Sequence, residues 1–298
     1  MKRKIVQHGP STLTISLPSQ WVRKFNLKKG EDVTIEQLKN GLFLSTGKSP
    51  HHEQKRINVK GLPAIITRAI AALYKAGYDE IIVEYDGPDE LDRIHQTVSN
   101  EHIGFEIVDE TRDTVVIKKV SEPSAEEFYI IFRRIFHFII TTADEGLEAT
   151  RKDDKETYRK LVIRDKNVNK LSNFCRRLVN NRRQTEYDQE TALYHLIEQL
   201  EKIGDDYKDL NKHLIEQKGK PADSLLALYQ QTNNLLREYE ELFFRFELKK
   251  LNAFFETYEA LLRWSQKNPV KDHQAAYFLL NIARELHGLS GVTMILHL

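Results

Sequence analysis

Thr12-Leu13-Thr14-Ile15-Ser16-Leu17-Pro18 leads, across Ser19-Gln20, into Trp21-Val22-Arg23-Lys24-Phe25-Asn26-Leu27-Lys28-Lys29-Gly30-Glu31-Asp32-Val33. The first run alternates polar and apolar residues, the period-2 signature of a half-buried strand. Asp32-Val33-Thr34-Ile35-Glu36 repeats that signature, and Leu42-Phe43-Leu44 follows the turn signal Lys39-Asn40-Gly41. Between the first two strands Ser19 is placed to cap a short helix running through Leu27, closed by Lys28, Lys29 and Gly30. Residues 1–50 therefore read as a small β unit with one or two helical turns. It holds few large apolar side chains and buries little surface, so it needs a partner chain to stand.

Outward from this head, residues 51–120 read as a small α/β domain. Strands are expected at Arg56–Val59, Glu80–Tyr85, Phe105–Val108 and Thr114–Val120, the last two joined as a hairpin by Thr111-Arg112-Asp113. Helices are expected over Leu62–Ala76, with Ile65, Ile66, Ala69, Ile70 and Leu73 on one face, and over Pro88–Ser99. Residues 121–298 carry almost no strand signal. Phe128, Ile131, Phe132, Ile135 and Ile139 recur at helical spacing. So do Leu193, Leu196, Leu200, Ile203, Tyr207, Leu210 and Leu214, and then Leu225, Leu228, Leu235 and Leu236. Breaks near 151–154, 180–185, 218–221 and 268–269 leave about six helices, in two sets of three joined at Gly219-Lys220-Pro221. The fold class is thus multidomain α+β, with a β head, a small α/β middle domain and an all-α body.

Composition agrees. The chain has 298 residues, with 30% charged, 40% hydrophobic, 13 Gly and 8 Pro, a profile of helix-rich globular domains rather than disorder. Its single cysteine, Cys175, excludes a disulfide framework and a cysteine-built zinc site, and points to a reducing compartment. The most apolar stretch, Phe128–Ile140, is shorter than the ~18 residues a membrane helix needs and contains Arg133, Arg134 and His137. Met1-Lys2-Arg3-Lys4-Ile5 leads into no signal-type apolar run, so the expected setting is the cytoplasm, without membrane insertion. The near-neutral total hides segregation. Residues 1–60 carry twelve Lys/Arg against four Asp/Glu, and the remainder 33 against 40. That pattern suggests a polyanion-binding head on an acidic body.

The run Arg3-Lys4-Ile5-Val6-Gln7-His8-Gly9-Pro10-Ser11-Thr12 and the strand–proline–helix–acidic-turn–strand order after it resemble the SpoVT/AbrB family of DNA-binding domains. The resemblance implies a homodimer in which two chains exchange hairpins to close one barrel. It also implies DNA contacts from the basic positions Arg3, Lys4, Arg23 and Lys24. Pro10-Ser11 stands where many members carry a basic residue after the glycine. Arg and Lys on a two-fold surface neutralise phosphates and give salt-dependent affinity, and Arg can also read guanine edges. The alternative is a basic dimerisation module that binds no DNA.

The helical zone resembles PhoU-type domains through Leu200-Glu201-Lys202-Ile203-Gly204-Asp205, with a second echo in Arg164-Asp165-Lys166-Asn167-Val168-Asn169-Lys170-Leu171. Together the two resemblances point to the archaeal phosphate-uptake regulators, which join an AbrB-like head to a PhoU-like pair of three-helix bundles. They imply a transcription regulator linked to phosphate homeostasis, with DNA and a phosphate transporter or signalling protein as partners. The alternative is a PhoU-type adaptor of a phosphate transporter whose head only dimerises. In PhoU relatives such acid pairs hold metal clusters. Glu201 and Asp205 are one helical turn apart and read as an exposed face, suited to Mg²⁺, Mn²⁺ or iron. Asn169, and Leu289 after Glu285, replace acids in the corresponding positions. A solvated acidic face is the simpler reading and the favoured one.

The remaining candidates are weaker. His51-His52 lies in an expected linker, and no His-x-x-x-His pair with a supporting acid occurs. Cys175 reads as a small core residue. The doublets Arg133-Arg134, Arg176-Arg177 and Arg182-Arg183 read as surface charge. An aromatic-rich helix is expected from Tyr239 to Phe255, as bundle core or a dimer face. No nucleophile–base or catalytic metal constellation appears, so no enzymatic activity is expected.

Overall fold

The computed structural model describes residues 2–38, 41–46, 54–121, 125–181, 189–217, 219 and 221–298. His51-His52, Arg182-Arg183, Lys39-Asn40 of the expected turn, and residues 182–185, 218 and 220 of the expected breaks lie outside the described residues. The chain falls into two compact units, Met1–Gln54 and Lys55–Leu298.

In the first unit, β1 (Val6–His8) pairs antiparallel with β2 (Thr12–Thr14), Gln7 opposite Leu13. A second hairpin joins β3 (Thr34–Leu38) to β4 (Gly41–Ser45), Ile35 opposite Leu44 and Gln37 opposite Leu42. The helix between them, α1 (Ser19–Lys24), is shorter than its pattern suggests. Asn26 takes a left-handed φ of 48°, and the Asn26 and Leu27 amides donate to the Arg23 and Val22 carbonyls at 3.2 and 3.0 Å. This is the Schellman closure, and asparagine tolerates its left-handed residue. Pro18 occupies the N-cap with no side-chain bond, so Ser19 is the first helical residue and caps nothing.

The second unit opens with a four-stranded sheet in the order β5-β6-β8-β7: β5 (Gln54–Asn58), β6 (Glu80–Glu84), β7 (Phe105–Glu110) and β8 (Thr114–Lys119). β6 and β7 both run antiparallel to the central β8. Ile81 opposite Ile117 and Val83 opposite Val115 lie on the buried face. They form one core with Ile66, Ile70 and Tyr74 of α2 (Ile66–Ala76) and Ile94 and Val98 of α3 (Pro88–Glu101). A 3-10 turn at Pro63–Ile65 precedes α2 and leaves Ile65 exposed, so the apolar face starts at Ile66.

Six helices follow: α4 (Ala125–Lys152), α5 (Lys155–Asn180), α6 (Glu190–Glu216), α7 (Asp223–Phe244), α8 (Leu248–Lys267) and α9 (His273–His297). The seven apolar positions from Leu193 to Leu214 and the four from Leu225 to Leu236 are all buried. The two sets of three share a single hydrophobic core, with α6 on α9 and α4 on α7. Asp154 caps α5 by accepting the Glu156 and Thr157 amides, both at 3.1 Å, and Asp272 caps α9. The aromatic stretch is two helices rather than one. The chain leaves the helix at Arg245–Glu247, which turns Phe254 back against Tyr239 with ring centroids 5.8 Å apart. No described helix is long and apolar enough to cross a membrane.

Candidate functional site

In the head, Arg3 and Lys4 lie exposed on the lead-in to β1, while Arg23 and Lys24 fill the last turn of α1. Arg23 Nε donates to the Ser19 carbonyl at 3.3 Å, and the Lys24 amine lies 5.8 Å from the Phe25 ring centroid. Among the described residues none of these four cations is held in an ion pair. Arg23 and Lys24 also sit favourably at the negative end of the helix dipole. Most apolar residues on the head's strands face outward, while those around α1 are half-buried. Strand alternation puts Leu13 and Ile15 on one face of the first hairpin and Ile35 and Leu42 on one face of the second. These four, with Ile5, are each more than half exposed, and no apolar residue of the described head is buried. One chain alone gives this unit no core.

The second unit places Glu201 and Asp205 against α5, not on an outward face. Asp165, Asn169, Ser172 and Arg176 form one stripe on α5, and Glu201, Gly204, Asp205 and Lys208 the facing stripe on α6. Arg176, 3% exposed, donates to Glu201 and lies 3.8 Å from Glu198. Lys208 bridges the helices, donating to Asp205 on its own helix and to Asp165 across the gap at 2.9 Å. Gly204 allows the close approach: a Cβ there would meet Val168 Cγ1 at 3.2 Å and Asp165 Oδ1 at 3.5 Å. Burial raises the pKa of Glu201, against the pull of Arg176, and that of Asp165, against the pull of Lys208. Burial alone would lower Lys208, but its bonds to Asp205 and Asp165 outweigh this and raise it. The exposed acidic face expected here is therefore a half-buried, cation-filled seam, with Glu201 22% and Asp205 44% exposed at the side chain.

The same helix clamps the α/β layer. Arg177, buried beside Arg176, donates to the Tyr74 and Tyr78 carbonyls at 2.7 and 2.8 Å and to Asp79 at 2.6 Å, under the Phe105 ring. Lys170 donates to the Ser99 carbonyl, Asn173 to Glu101 and Asn180 to the Lys75 carbonyl, at 2.8, 3.0 and 2.8 Å. His102 stacks on Tyr74 at 4.3 Å, and burial takes its pKa down to about 3, so it is neutral. The Arg176-Arg177 doublet is thus interior, not surface charge, whereas Arg133 and Arg134 are exposed. Cys175 is fully buried, and burial pushes its thiol pKa up, as for an inert core residue. Among the described residues no three His, Cys, Asp or Glu side chains are grouped to hold a metal ion. Sequence reasoning missed Lys208, took Asp165 only as part of the PhoU-type echo, and read Arg176-Arg177 as surface charge. Their signal was the polar 165, 169, 172, 176 stripe, at helical spacing on a helix whose stretch 172–179 is buried on every face.

Residues 6–50 match the family described as antidote-toxin recognition MazE, bacterial antitoxin. The head is MazE-like in sequence. The phosphate transport system regulatory protein PhoU from Streptococcus pneumoniae is similar in structure over 58% of this chain and 94% of its own, at 16% identity and a TM-score of 0.45. No curated protein matches the chain.

Proposed function

We propose that this protein is a dimeric, DNA-binding transcription regulator linked to phosphate homeostasis. The observation that carries the reading is the state of the head. Its apolar strand faces are exposed in one chain, and Arg3, Lys4, Arg23 and Lys24 are exposed and free of ion pairs among the described residues. A second copy would cover the apolar faces and double the basic residues on one two-fold surface. The likeness to MazE over residues 6–50 and the resemblance to SpoVT/AbrB heads support the same use. The phosphate link rests on the PhoU-type run Leu200–Asp205. The Arg177 clamp ties the helical body to the α/β layer, and through it a partner or effector on the helices would act on DNA binding.

The test is fluorescence anisotropy with a mixed pool of duplex fragments, titrated over salt. Affinity should fall steeply with salt, and replacing Arg3, Lys4, Arg23 and Lys24 by Ala should flatten the slope by about 0.9 for each phosphate that these side chains neutralise. No binding even at low salt would return the chain to the adaptor reading, in which the head only dimerises. Binding by the quadruple variant with an unchanged slope would refute the residue assignment.

A further inference from the structure

We infer that Arg176 and Lys208 are the resident cations of the α5–α6 seam, occupying the place that the PhoU resemblance assigns to metal ions. The α5–α6 seam then needs no metal ion for its structure and takes none. The inference does not rest on the DNA-binding reading.

The argument is one of charge and occupancy. Three carboxylates of the seam, Asp165 from α5 and Glu201 and Asp205 from α6, are each hydrogen-bonded to a cationic side chain of the protein, and a fourth, Glu198 of α6, lies 3.8 Å from Arg176. Asn169, one turn after Asp165, contributes a neutral amide where a second α5 carboxylate would stand. A hard divalent cation seeks about six oxygen ligands and is held by several ionised carboxylates at once. To enter here it would have to expel a guanidinium 3% exposed and an amine that ties two helices together. Were both side chains to stay, the ion would crowd a third cationic group among these carboxylates; were they to leave, a buried guanidinium and a shared amine would each lose their bonded anions. The alternative already present satisfies those anions without any ion from solution.

The unpartnered atoms of the seam point the same way. Asn169 Oδ1, Ser172 Oγ and Arg176 Nε are buried without a hydrogen-bond partner. They include a donor among acceptors, a set that suits bridging water better than a cation, which a guanidinium N–H would repel. Lys208, reaching from Asp205 to Asp165, does the cross-helix work that a bound ion would otherwise do.

The experiment uses the full chain purified without chelator. Elemental analysis should find well under one equivalent of Mn, Fe or Mg per chain. Melting should move by less than about 1 °C with EDTA or with millimolar Mn²⁺ or Mg²⁺, whereas an ion held at 100 times its Kd would raise it by about 5–10 °C. Lys208→Gln frees Asp165 and Asp205, so it should melt lower and regain part of the loss with Mn²⁺, and adding Asp205→Asn should abolish that response. Near-stoichiometric metal in the wild-type chain, or a fall in its melting on chelation, would overturn the inference. So would a Lys208→Gln variant indifferent to Mn²⁺, which would show that the lysine does not stand in an ion's place. If Lys208→Gln does not fold, Arg176→Gln is read the same way at Glu201, and the wild-type measurements decide independently of either variant.

Discussion

Replacing Arg177 by Met keeps an unbranched apolar stem under Phe105 and removes every donor. Three bonds go: to the Tyr74 carbonyl at 2.7 Å, the Tyr78 carbonyl at 2.8 Å and Asp79 at 2.6 Å. Two compensations limit the cost. Asp79 keeps Lys119 at 3.0 Å, and the Tyr74 carbonyl keeps the Gly77 amide at 3.1 Å. Removing one partner of a buried ion pair costs about 3–5 kcal/mol, and the surviving partners place this case near the lower end, about 3 kcal/mol. For a unit of this size that corresponds to a drop in melting temperature of about 6–12 °C. The loss should also be local. Arg177, with Asn180 bonded to the Lys75 carbonyl, ties α5 to the end of α2, so its loss should quicken hydrogen exchange, followed by mass spectrometry, in α2 and α3. The core of α6 and α9, which Arg177 does not touch, should be little changed. Arg134→Met, on an exposed arginine, is the control and should melt like wild type. An Arg177→Met variant that melts within about 1 °C of wild type, with unchanged exchange in α2, would refute the clamp.

Three further outcomes follow from the geometry. A Cβ on Gly146 would lie 2.2 Å from Tyr229 Oη, a hydroxyl buried without a partner. Gly146→Ala should therefore cost about 1–3 kcal/mol in urea unfolding, and adding Tyr229→Phe should recover most of it; additivity within about 0.5 kcal/mol would sink the argument. Glu285 on α9 is held up to about 7, first by burial and then by Asp206 of α6. Its folded pKa is raised above the unfolded one, so its contribution is complete below about 4.3 and is lost as pH rises through 7. Glu285→Gln should match wild type at pH 4 and melt higher at pH 8, and equal melting at pH 8 would contradict the assignment. Finally, Leu13→Asp places a charge on the exposed apolar face of the first hairpin. Light scattering should show the mass halved and DNA affinity reduced, whereas an unchanged mass would mean that the head is not the dimer interface.

Periodicity was legible wherever burial alone decides. Every apolar position from Leu193 to Leu214 faces the core, because a helix packed on one side must put its 3.6-residue stripe there. The break at Arg245–Glu247 was not legible, since it carries no Gly or Pro. It is set by Phe254 returning to Tyr239, a contact between two segments whose local propensities are both helical. The doublet Arg176-Arg177 was misread for a related reason. Sequence shows a charge but not its partner, and these partners, Glu201 and Asp79, lie 25 and 98 residues away. Glu201 was read as exposed because helical spacing separates apolar from polar faces, and it cannot tell a polar face in water from one docked on another polar face.

What separates the cations of the head from those of the body is the supply of acid within reach. The first 60 residues hold twelve Lys/Arg against four Asp/Glu, and the rest holds 33 against 40. A buried arginine in the body can find a carboxylate and becomes a structural bond, as Arg176 does with Glu201 and Arg177 with Asp79. An arginine in the head has few acids on its own unit to meet, so Arg3 and Arg23 stay exposed, and their field extends over a Debye length of about 8–10 Å at working salt. Dimerisation would sharpen the contrast, because it buries the apolar strand faces and brings in a second set of cations with no matching excess of acid. On the proposed reading their neutralisation would come from outside, from a polyanion with regularly spaced phosphates that meets the head, while Arg176 and Arg177 of the body are already paired within it.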